Sequence, residues 1–289
     1  MTENKMQKKG TAFEMPKWGW IPDIPDARDY VYEAPLKLRS ARALPSNVDL
    51  RKNCPPVFNQ GALGSCTANA LLAAVEFGKK IKGQKTCRLS RLFLYYNERM
   101  MMNTVYSDSG AYLRDGVKSL NKQGVCPEKE WRYSANTKPG AKFTKKPPKK
   151  CYDSALDHQI LSYWRISPVM HDIRACLADG FPFVFGFSVY ASFMTEEVRN
   201  TGIMPMPQPD EQQLGGHAVM AVGYDEEKEM LLVRNSWGKE WGDKGHFWMP
   251  YDYIRKTKNC ADFWTIRDVE SQRRTYVFQQ QKIWYHGSL

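Results

Sequence analysis

The spacing of apolar residues changes near the middle of this chain, and that change constrains the fold more than any other feature. Before residue 180, apolar residues recur every three or four positions, which is typical of amphipathic helices. After residue 180, they fall in short continuous or alternating runs between glycines and charged turns, which is typical of strands. The sequence therefore predicts an α+β protein with a helical lobe and a strand-rich barrel lobe.

Boundary signals place four helices before the strand-rich part. Ser90 is a candidate N-cap for the second helix, and Gly124 ends the third. The pair Ser167 and Pro168 is typical of a helix start, and Gly180 of a helix stop. The predicted helices span residues 65–80, 90–100, 111–123 and 167–180.

Five later segments predict strands, and together these elements define the domain plan. The strand segments are FVFGFSVY, GGHAVMAVGYD, EMLLVRNSW, GHFWMP and DFWTIRD. We divide the chain into an N-terminal extension, residues 1–43, a main domain, residues 44–268, and a C-terminal tail, residues 269–289. Within the main domain, residues 59–150 form the helical lobe and residues 151–268 the strand-rich lobe.

The chain is basic, with 42 Lys and Arg residues against 31 Asp and Glu residues and a net charge of +11. Such a balance favours anionic partners. Part of it comes from AKFTKKPPKK, residues 141–150, whose prolines predict an exposed loop within residues 134–160 rather than a helix. Zinc-binding spacing, an aromatic RNA-binding signature and heptads are missing from the sequence. We therefore expect no metal, no cofactor and no dedicated nucleic-acid module.

No segment is typical of a membrane span or a secretion signal. The longest apolar run, residues 181–193, is well short of the ~20 residues that a membrane helix needs. The start MTENKMQKKG lacks the apolar core of a signal peptide. The seven cysteines are scattered along the sequence, which is typical of mostly reduced thiols. The alternative is that one or two disulfides form. These features favour an intracellular, reducing compartment.

One cysteine, Cys66, stands at the predicted start of the first helix, in the stretch NQGALGSCTANA. A thiol attacks well only as the thiolate, and its ordinary pKa of about 8.5 leaves it mostly protonated at pH 7. A helix N-terminus lowers that pKa, and a neighbouring imidazolium lowers it further. Gly61 and Gly64 give a substrate room to approach. The alternative is a small buried residue at a helix start.

A cysteine nucleophile needs a base, and His217 is the favoured histidine. It stands in GGHAVMAVGYD, after two glycines and at the start of an apolar strand, where rigid structure would hold it beside a cleft. His246, in a turn before a strand, is the second choice. In RNSWGKEWGDKGHFW, Asn235 could orient His217 and Trp237 could cover that hydrogen bond. Both also fit a role in a core or turn.

These motifs together resemble the papain-like cysteine peptidases, the family of papain and the cathepsins. The resemblance covers most of the chain, about residues 46–268, and keeps the order Cys, His, Asn. Its matching segments are LPSNVDLR, Gln60, GSC, Ser109-Gly110, GGHAVMAVGYD and NSWGKEWGDKGHF. It implies a two-lobed fold with an active-site cleft between the lobes.

The resemblance implies a catalytic role for four residues. Cys66 would be the nucleophile, activated as an ion pair with His217. Asn235 would orient His217. Gln60 would donate a hydrogen bond to the oxyanion, together with the backbone N–H of Cys66.

The resemblance also implies where a polypeptide substrate would lie. Ser109 and Gly110 would contact the acyl side of the substrate. The carbonyl of Gly216 and the indole rings of Trp237 and Trp241 would contact its leaving-group side. The residues implied are Gly64, Ser109, Gly110, Gly216, Trp237 and Trp241.

The sequence departs from the cathepsins around these sites. Leu63 stands where they carry a disulfide-forming cysteine, and Thr67 where they carry tryptophan. Gly216 replaces a more usual Asn or Asp, and Ser109 replaces a glycine. The GSCTANA form resembles a branch found in microbes and large DNA viruses. For a viral protein, packaging in a virion would be a second location.

Two features stay open. The floor of the pocket for the second acyl-side residue would lie near Cys260 and Asp262. Asp262 would favour basic side chains if it points into the pocket, or apolar ones if it packs between the lobes, which we favour. The arm GWIPDIPDARDYVY should run extended. It would be either an inhibitory latch, as in a zymogen, or a permanent strap on the strand-rich lobe.

The expected activity is hydrolysis of peptide bonds through a thioester acyl-enzyme. Two other functions are compatible with the sequence. One is a transglutaminase-like or deamidating acyl transferase, and the other is a catalytically silent basic binding module. The oligomeric state is left open.

Overall fold

The alanine-rich segment that begins at Cys66 forms the central helix of the protein, α1 (Cys66–Ile81). Small side chains let neighbouring elements approach α1 from several sides, and most of its residues are buried. It packs against α2 (Arg91–Met101) and α3 (Leu113–Lys122) on one side and against a β-sheet on the other. The α+β expectation is thereby confirmed.

The structure is a computed structural model that describes residues 17–85, 87–255 and 259–270. The start of the predicted N-terminal extension, residues 1–16, lies outside these ranges. Almost all of the predicted C-terminal tail also lies outside them.

An antiparallel sheet forms the second lobe. Its strands are β1 (Asn47–Asp49), β2 (Ile160–Arg165), β3 (Phe183–Tyr190), β4 (Gln213–Asp225), β5 (Met230–Arg234), β6 (His246–Pro250) and β7 (Cys260–Val269). The order in space is β2-β7-β3-β4-β5-β6, and β1 pairs with β4 beside this path. All five predicted strand segments are found.

Alternate residues of the sheet face two different cores, as the period of two requires. Along β4, Ala218 and Met220 face the core that contains α1. Val219 and Ala221 face a second core on the other side. That second core is covered by three helices, α5 (Met170–Ala178), α6 (Glu196–Thr201) and α7 (Tyr251–Arg255). The N-terminal end of α1 thus meets the start of β4 where the two lobes join.

The helix boundary signals were mostly correct. Ser90 caps α2, since its Oγ accepts a hydrogen bond from the N–H of Phe93 at 3.1 Å. Gly124 follows α3 with φ +71°, the left-handed conformation that favours glycine. Gly180 has φ +87° just after α5.

Two local predictions were wrong. Residues 134–160 are not a simple loop, because they contain the helix α4 (Lys149–Ala155). Pro148 occupies the N-cap of α4, a position where the missing N–H costs no helical hydrogen bond. Helix α5 begins at Met170 rather than at residue 167, because Val169 before it is still extended.

All seven cysteines belong to the described part of the chain, and each carries a free thiol. Among the described helices, none combines the length and apolar character that a membrane crossing requires.

Glu98 is fully buried on α2, where the Thr67 hydroxyl donates to its Oε2 at 2.8 Å. Burial raises the pKa of Glu98 to about 8, against about 4.3 in an unfolded chain. The folded protein therefore holds a proton that the unfolded chain has lost, and the free energy of unfolding falls as pH rises from about 4 to about 8.

Replacing this carboxyl by an amide, Glu98→Gln, is expected to remove that pH-dependent loss of stability. Both proteins carry Cys66→Ser. The free energy of unfolding should fall between pH 5 and pH 8 by about 3 kcal/mol less in the Glu98→Gln variant than in its parent. Urea unfolding at both pH values measures it. The exposed Glu227→Gln is the control. Identical pH profiles for Glu98→Gln and its parent would contradict a neutral buried carboxyl.

Candidate active site

Cys66 is the first residue of α1, at the junction of the two lobes. Its side chain is fully buried. Burial raises the pKa of the Cys66 thiol to about 12, and hydrogen bonds from the backbone of Ala218 and Gly19 lower it. Because Ala218 directly follows His217 on β4, the thiol lies against the backbone immediately beside that histidine.

His217 is held in one orientation and one tautomer. Its Nε2 lies 2.9 Å from Oδ1 of Asn235. The same Oδ1 accepts the N–H of Ser236 at 2.8 Å, which identifies it as the amide oxygen. Nε2 of His217 therefore carries the proton, and Nδ1 keeps its lone pair. Nδ1 is buried and accepts no hydrogen bond from the described residues.

Burial also sets the charge of the imidazole. It lowers the pKa of His217 to about 4, and the hydrogen bond with Asn235 raises the pKa only in part. Burial therefore opposes the charged form of both the thiol and the imidazole in this arrangement.

Aromatic rings enclose the imidazole. The ring of Trp237 stacks on His217 with centroids 4.9 Å apart, and Trp241 meets Trp237 edge-on, also at 4.9 Å. Trp18 approaches His217 edge-on at 6.3 Å. This apolar cover keeps water away from the hydrogen bond between His217 and Asn235.

Gln60 is fixed beside the loop that precedes Cys66. Its Nε2 donates to the carbonyl of Leu63 at 3.0 Å, and its Oε1 accepts from the Ser236 hydroxyl at 2.6 Å. Its own carbonyl accepts from the Tyr133 hydroxyl at 2.8 Å. These contacts bring Gln60 and Asn235 together through Ser236, which the sequence reasoning missed.

Residues 17–21 of the N-terminal extension fill the cleft between the lobes. A Cβ on Gly19 would fall 1.8 Å from the carbonyl oxygen of Gly64. The carbonyl of Gly216 accepts the N–H groups of both Gly19, at 3.2 Å, and Trp20, at 3.1 Å. The cleft is therefore occupied by the chain's own backbone, which buries the thiol and the imidazole.

The opposite wall of the cleft pairs with the same backbone. Ala111 donates its N–H to the carbonyl of Gly19 at 2.7 Å and accepts from the N–H of Ile21 at 3.1 Å. Gly110 has φ +75°, and a Cβ there would lie 2.4 Å from the carbonyl of Gly19. The Ser109 hydroxyl hydrogen-bonds within its own loop instead. The pairing residue is thus Ala111, which the sequence reasoning missed.

A salt bridge holds the start of this segment. Lys17 Nζ lies 3.2 Å from Oδ2 of Asp108. Asp108 also accepts the N–H of Gly64 at 3.1 Å, so it links the segment to the loop ahead of the thiol. The carbonyl of Lys17 lies 3.5 Å from Nε2 of Gln60.

The Asp262 carboxyl is buried and has polar partners on both oxygens. Its Oδ2 accepts the indole N–H of Trp20 and the backbone N–H of Asp23, both at 3.0 Å, and its Oδ1 pairs with Arg165 at 2.9 Å. The Trp20 ring fills the adjoining space so closely that a Cβ on Gly186 would fall 1.9 Å from it. Burial and the neighbouring Asp23 carboxyl raise the pKa of Asp262.

The next part of the extension is fixed to both lobes by an ion-pair cluster, with Arg114 in α3 and Arg165 in β2. Arg165 pairs with Asp23 at 3.0 Å, and Arg114 pairs with both Asp23 and Asp29. Beyond the cluster, the N–H of Tyr32 donates to the carbonyl of Arg165 at 2.7 Å. The described part of the arm thus lies in the cleft at residues 17–21 and along β2 at residues 30–32.

The sequence contained one signal for the cleft segment that was not used. Gly19 stands between Trp18 and Trp20, and a glycine between two large rings is typical of a backbone that approaches another backbone closely. No comparable signal marks Asp108 or Ala111.

A family model described as "Papain family cysteine protease" matches residues 44–265. A relative named as an uncharacterised peptidase C1-like protein of Acanthamoeba polyphaga mimivirus is 41% identical over 275 residues, covering 87% of each chain. A cathepsin B-like protein of Giardia intestinalis is 30% identical and covers 77% of this chain and 73% of its own.

Solved structures give the same result. Xylellain, a cysteine protease from Xylella fastidiosa, has a TM-score of 0.82 and 44% identity, covering 90% of this chain and 99% of its own. A procathepsin B from Trypanosoma congolense has a TM-score of 0.70, with 88% and 87% coverage, and at 18% identity it supports the fold alone. With its microbial and viral relatives, this chain belongs to the papain family of cysteine peptidases, which are hydrolases.

Proposed function

We propose that this protein hydrolyses peptide bonds with Cys66 as the nucleophile, His217 as the acid and base, and Asn235 as the orienting group. One observation carries the proposal: Asn235 holds His217 with the proton on Nε2, which leaves the buried Nδ1 lone pair without a hydrogen-bond donor among the described residues. A base oriented in this way can take the thiol proton.

The reaction then follows from the chemistry of the two groups. The Cys66 thiol gives its proton to His217 Nδ1, and the thiolate attacks the carbonyl carbon of the substrate. The imidazolium next protonates the leaving amine, which leaves a thioester on Cys66. Water, deprotonated by His217, then hydrolyses the thioester and restores the free thiol.

The charge of the pair is proposed to depend on the cleft segment. With residues 17–21 docked, burial favours a neutral thiol and a neutral imidazole. When the segment leaves, water and substrate reach both groups, so the burial that opposes their charges is reduced. The N-terminus of α1 then favours the thiolate, and the imidazolium beside it does the same.

Gln60 is proposed to donate one of the two hydrogen bonds to the oxyanion. Replacement by alanine, Gln60→Ala, is expected to lower kcat/KM, measured per titrated active site, by ~10²–10³-fold. Because it also removes the buried hydrogen bonds to Leu63 and Ser236, it should lower the Tm. Steady-state hydrolysis of a fluorogenic peptide amide measures kcat/KM. The control is Asn59→Ala, which changes the side chain of the neighbouring residue. Equal rates for Gln60→Ala and wild type would remove Gln60 from the catalytic set.

The N-terminal extension, residues 1–43, is proposed to be an inhibitory prosegment of the domain at residues 44–268. Gly19 and Trp20 occupy hydrogen-bonding groups of Gly216 and Ala111 that a substrate backbone would use. Trp20 pairs with Ala111 in the parallel direction. Release of this segment would open Gly64, Gly110, Gly216 and the Trp237 side of the cleft to a polypeptide.

An acyl transferase would use the same side chains, Cys66, His217 and Asn235. The reaction products therefore distinguish a peptidase from an acyl transferase. Incubation with a peptide that contains glutamine, with and without a primary amine, separates them by mass spectrometry. A peptidase gives two shorter peptides, whereas a transferase or deamidase gives an intact peptide with a changed glutamine. A silent binding module gives neither.

The seven free thiols support a reducing working compartment.

A further inference from the structure

Two further cysteines and one glutamate meet in the helical lobe, outside the cleft. Cys126 precedes the segment that runs beside the start of α2, and Cys151 lies in α4. One ligand atom from each of Cys126, Glu130 and Cys151 lies within 4.8 Å of the other two. Both thiols are fully buried, and Glu130 is partly buried. Cys126 and Glu130 stand four residues apart, whereas Cys151 follows 25 residues after Cys126, and this spacing matches no zinc-binding motif.

We propose that Cys126, Cys151 and Glu130 bind a zinc ion or another thiophilic divalent cation. Sulfur donors select zinc-like metals over magnesium and calcium. Ligands about 2.0–2.3 Å from a tetrahedral zinc lie roughly 3.5 Å from one another, so the three atoms need only small shifts to reach this geometry. Three protein ligands leave the fourth position to water.

The carboxylate of Glu130 is already oriented for this role. The Ser154 hydroxyl donates to its Oε2 at 2.5 Å, and the structure records no hydrogen bond to Oε1 from any described residue. The same hydroxyl lies 3.3 Å from the carbonyl of Cys151, so one serine ties two of the ligands together. Outer contacts of this kind are typical of metal sites, where they fix the direction of the ligand.

The backbone around the third ligand is equally fixed. The carbonyl of Cys126 accepts the N–H of Ser90, the N-cap of α2, at 2.9 Å. The ligands thus come from two pieces of the helical lobe, because Cys126 and Glu130 lie in the segment after α3 and Cys151 lies in α4. A metal ion would connect these two pieces.

Metal binding at this site balances in protons and in charge. Binding releases one proton from each thiol, forms two metal–sulfur bonds and changes no oxidation state. A divalent cation with two thiolates and one carboxylate carries a net charge of −1.

The test uses the full chain with Cys66→Ser, so that the catalytic thiol neither binds metal nor cleaves the protein. The chain is stripped with a chelator in a phosphine reductant and titrated with zinc, and with cobalt as the spectroscopic probe. We expect one zinc per chain, a cobalt spectrum with thiolate charge-transfer and tetrahedral bands, and a raised Tm on loading.

Variants assign the ligands. Adding Cys126→Ser or Cys151→Ser should abolish the cobalt thiolate bands, and Glu130→Gln should weaken zinc binding. Ser154→Ala, which leaves all three ligands in place, should weaken it about 10- to 100-fold. The matched control is Cys87→Ser, another thiol of the helical lobe, which should bind one zinc as before.

Two results would overturn the proposal. The first is less than stoichiometric zinc in the folded Cys66→Ser chain, a measurement that does not depend on whether the ligand variants fold. The second is a chain mass that is two hydrogen atoms too low before reduction and returns to the full value after it, together with no metal uptake by the reduced chain. That result would show that Cys126 and Cys151 form a disulfide.

Discussion

Gly19→Ala is expected to raise peptidase activity at least ~10-fold over wild type. The new Cβ would fall 1.8 Å from the Gly64 carbonyl oxygen, a distance that no packing adjustment of the backbone tolerates. Residues 17–21 must then leave the cleft and give up their backbone hydrogen bonds, each contributing about 0.5–1.5 kcal/mol. The measurement is kcat/KM on a peptide amide, with active sites counted by titration.

The substitution is a cleaner test than removal of the whole extension. Deleting residues 1–43 would also remove Tyr32 and Leu38, which are buried in the second core. The matched control is Ile24→Ala, because Ile24 is 86% exposed in the same arm. A folded Gly19→Ala protein as slow as wild type would contradict inhibition by this segment.

Cys66→Ala is expected to lower kcat by about 10⁵–10⁶-fold, and His217→Ala by a comparable factor, because the two groups act as a unit. The double variant should lose little more than either single variant. Asn235→Ala should lose less, since it orients His217 and does not react. Each variant is measured in the Gly19→Ala background, where the cleft is open.

The control for these losses is Cys87→Ala, which removes a partly exposed thiol of the helical lobe and should keep full activity. Circular dichroism and Tm separate loss of chemistry from loss of fold. Residual activity of one tenth or more in purified Cys66→Ala would contradict its role as the nucleophile.

The order of elements could be predicted from the sequence because local signals agree with the fold. Ser90 caps its helix, and alternate residues of β4 separate into two cores, as periodicity indicates. The helix α4 was missed because the paired prolines obscured it, although Pro148 stands just before its first turn.

The candidate site could be predicted only where a motif carried it. Asn235 hydrogen-bonds His217, and Ser236 links Asn235 to Gln60. Cys66 lies against the backbone of the residue that follows His217. The contacts of Asp262 and Ala111 were not predicted, because they depend on which distant backbone lies against them. Local sequence holds little information about such long-range contacts, and the cleft segment shows this most clearly.

The charge states of Cys66 and His217 also could not be predicted from the sequence. A helix N-terminus and a nearby histidine indicate a thiolate, yet burial under residues 17–21 raises the pKa of Cys66 and lowers that of His217. The burial of these two side chains depends on the whole structure with the cleft closed, and it cannot be inferred from the sequence motifs around them.

The most direct measurement is intact mass after treatment with a peptidyl epoxide under reducing conditions. The samples are wild type, Gly19→Ala, and Gly19→Ala with Cys66→Ala. We expect a single adduct that forms fast in Gly19→Ala, slowly in wild type, and not at all without Cys66. No adduct on folded Gly19→Ala, while its free thiols still titrate, would contradict an activated Cys66 in a cleft that the N-terminal segment closes.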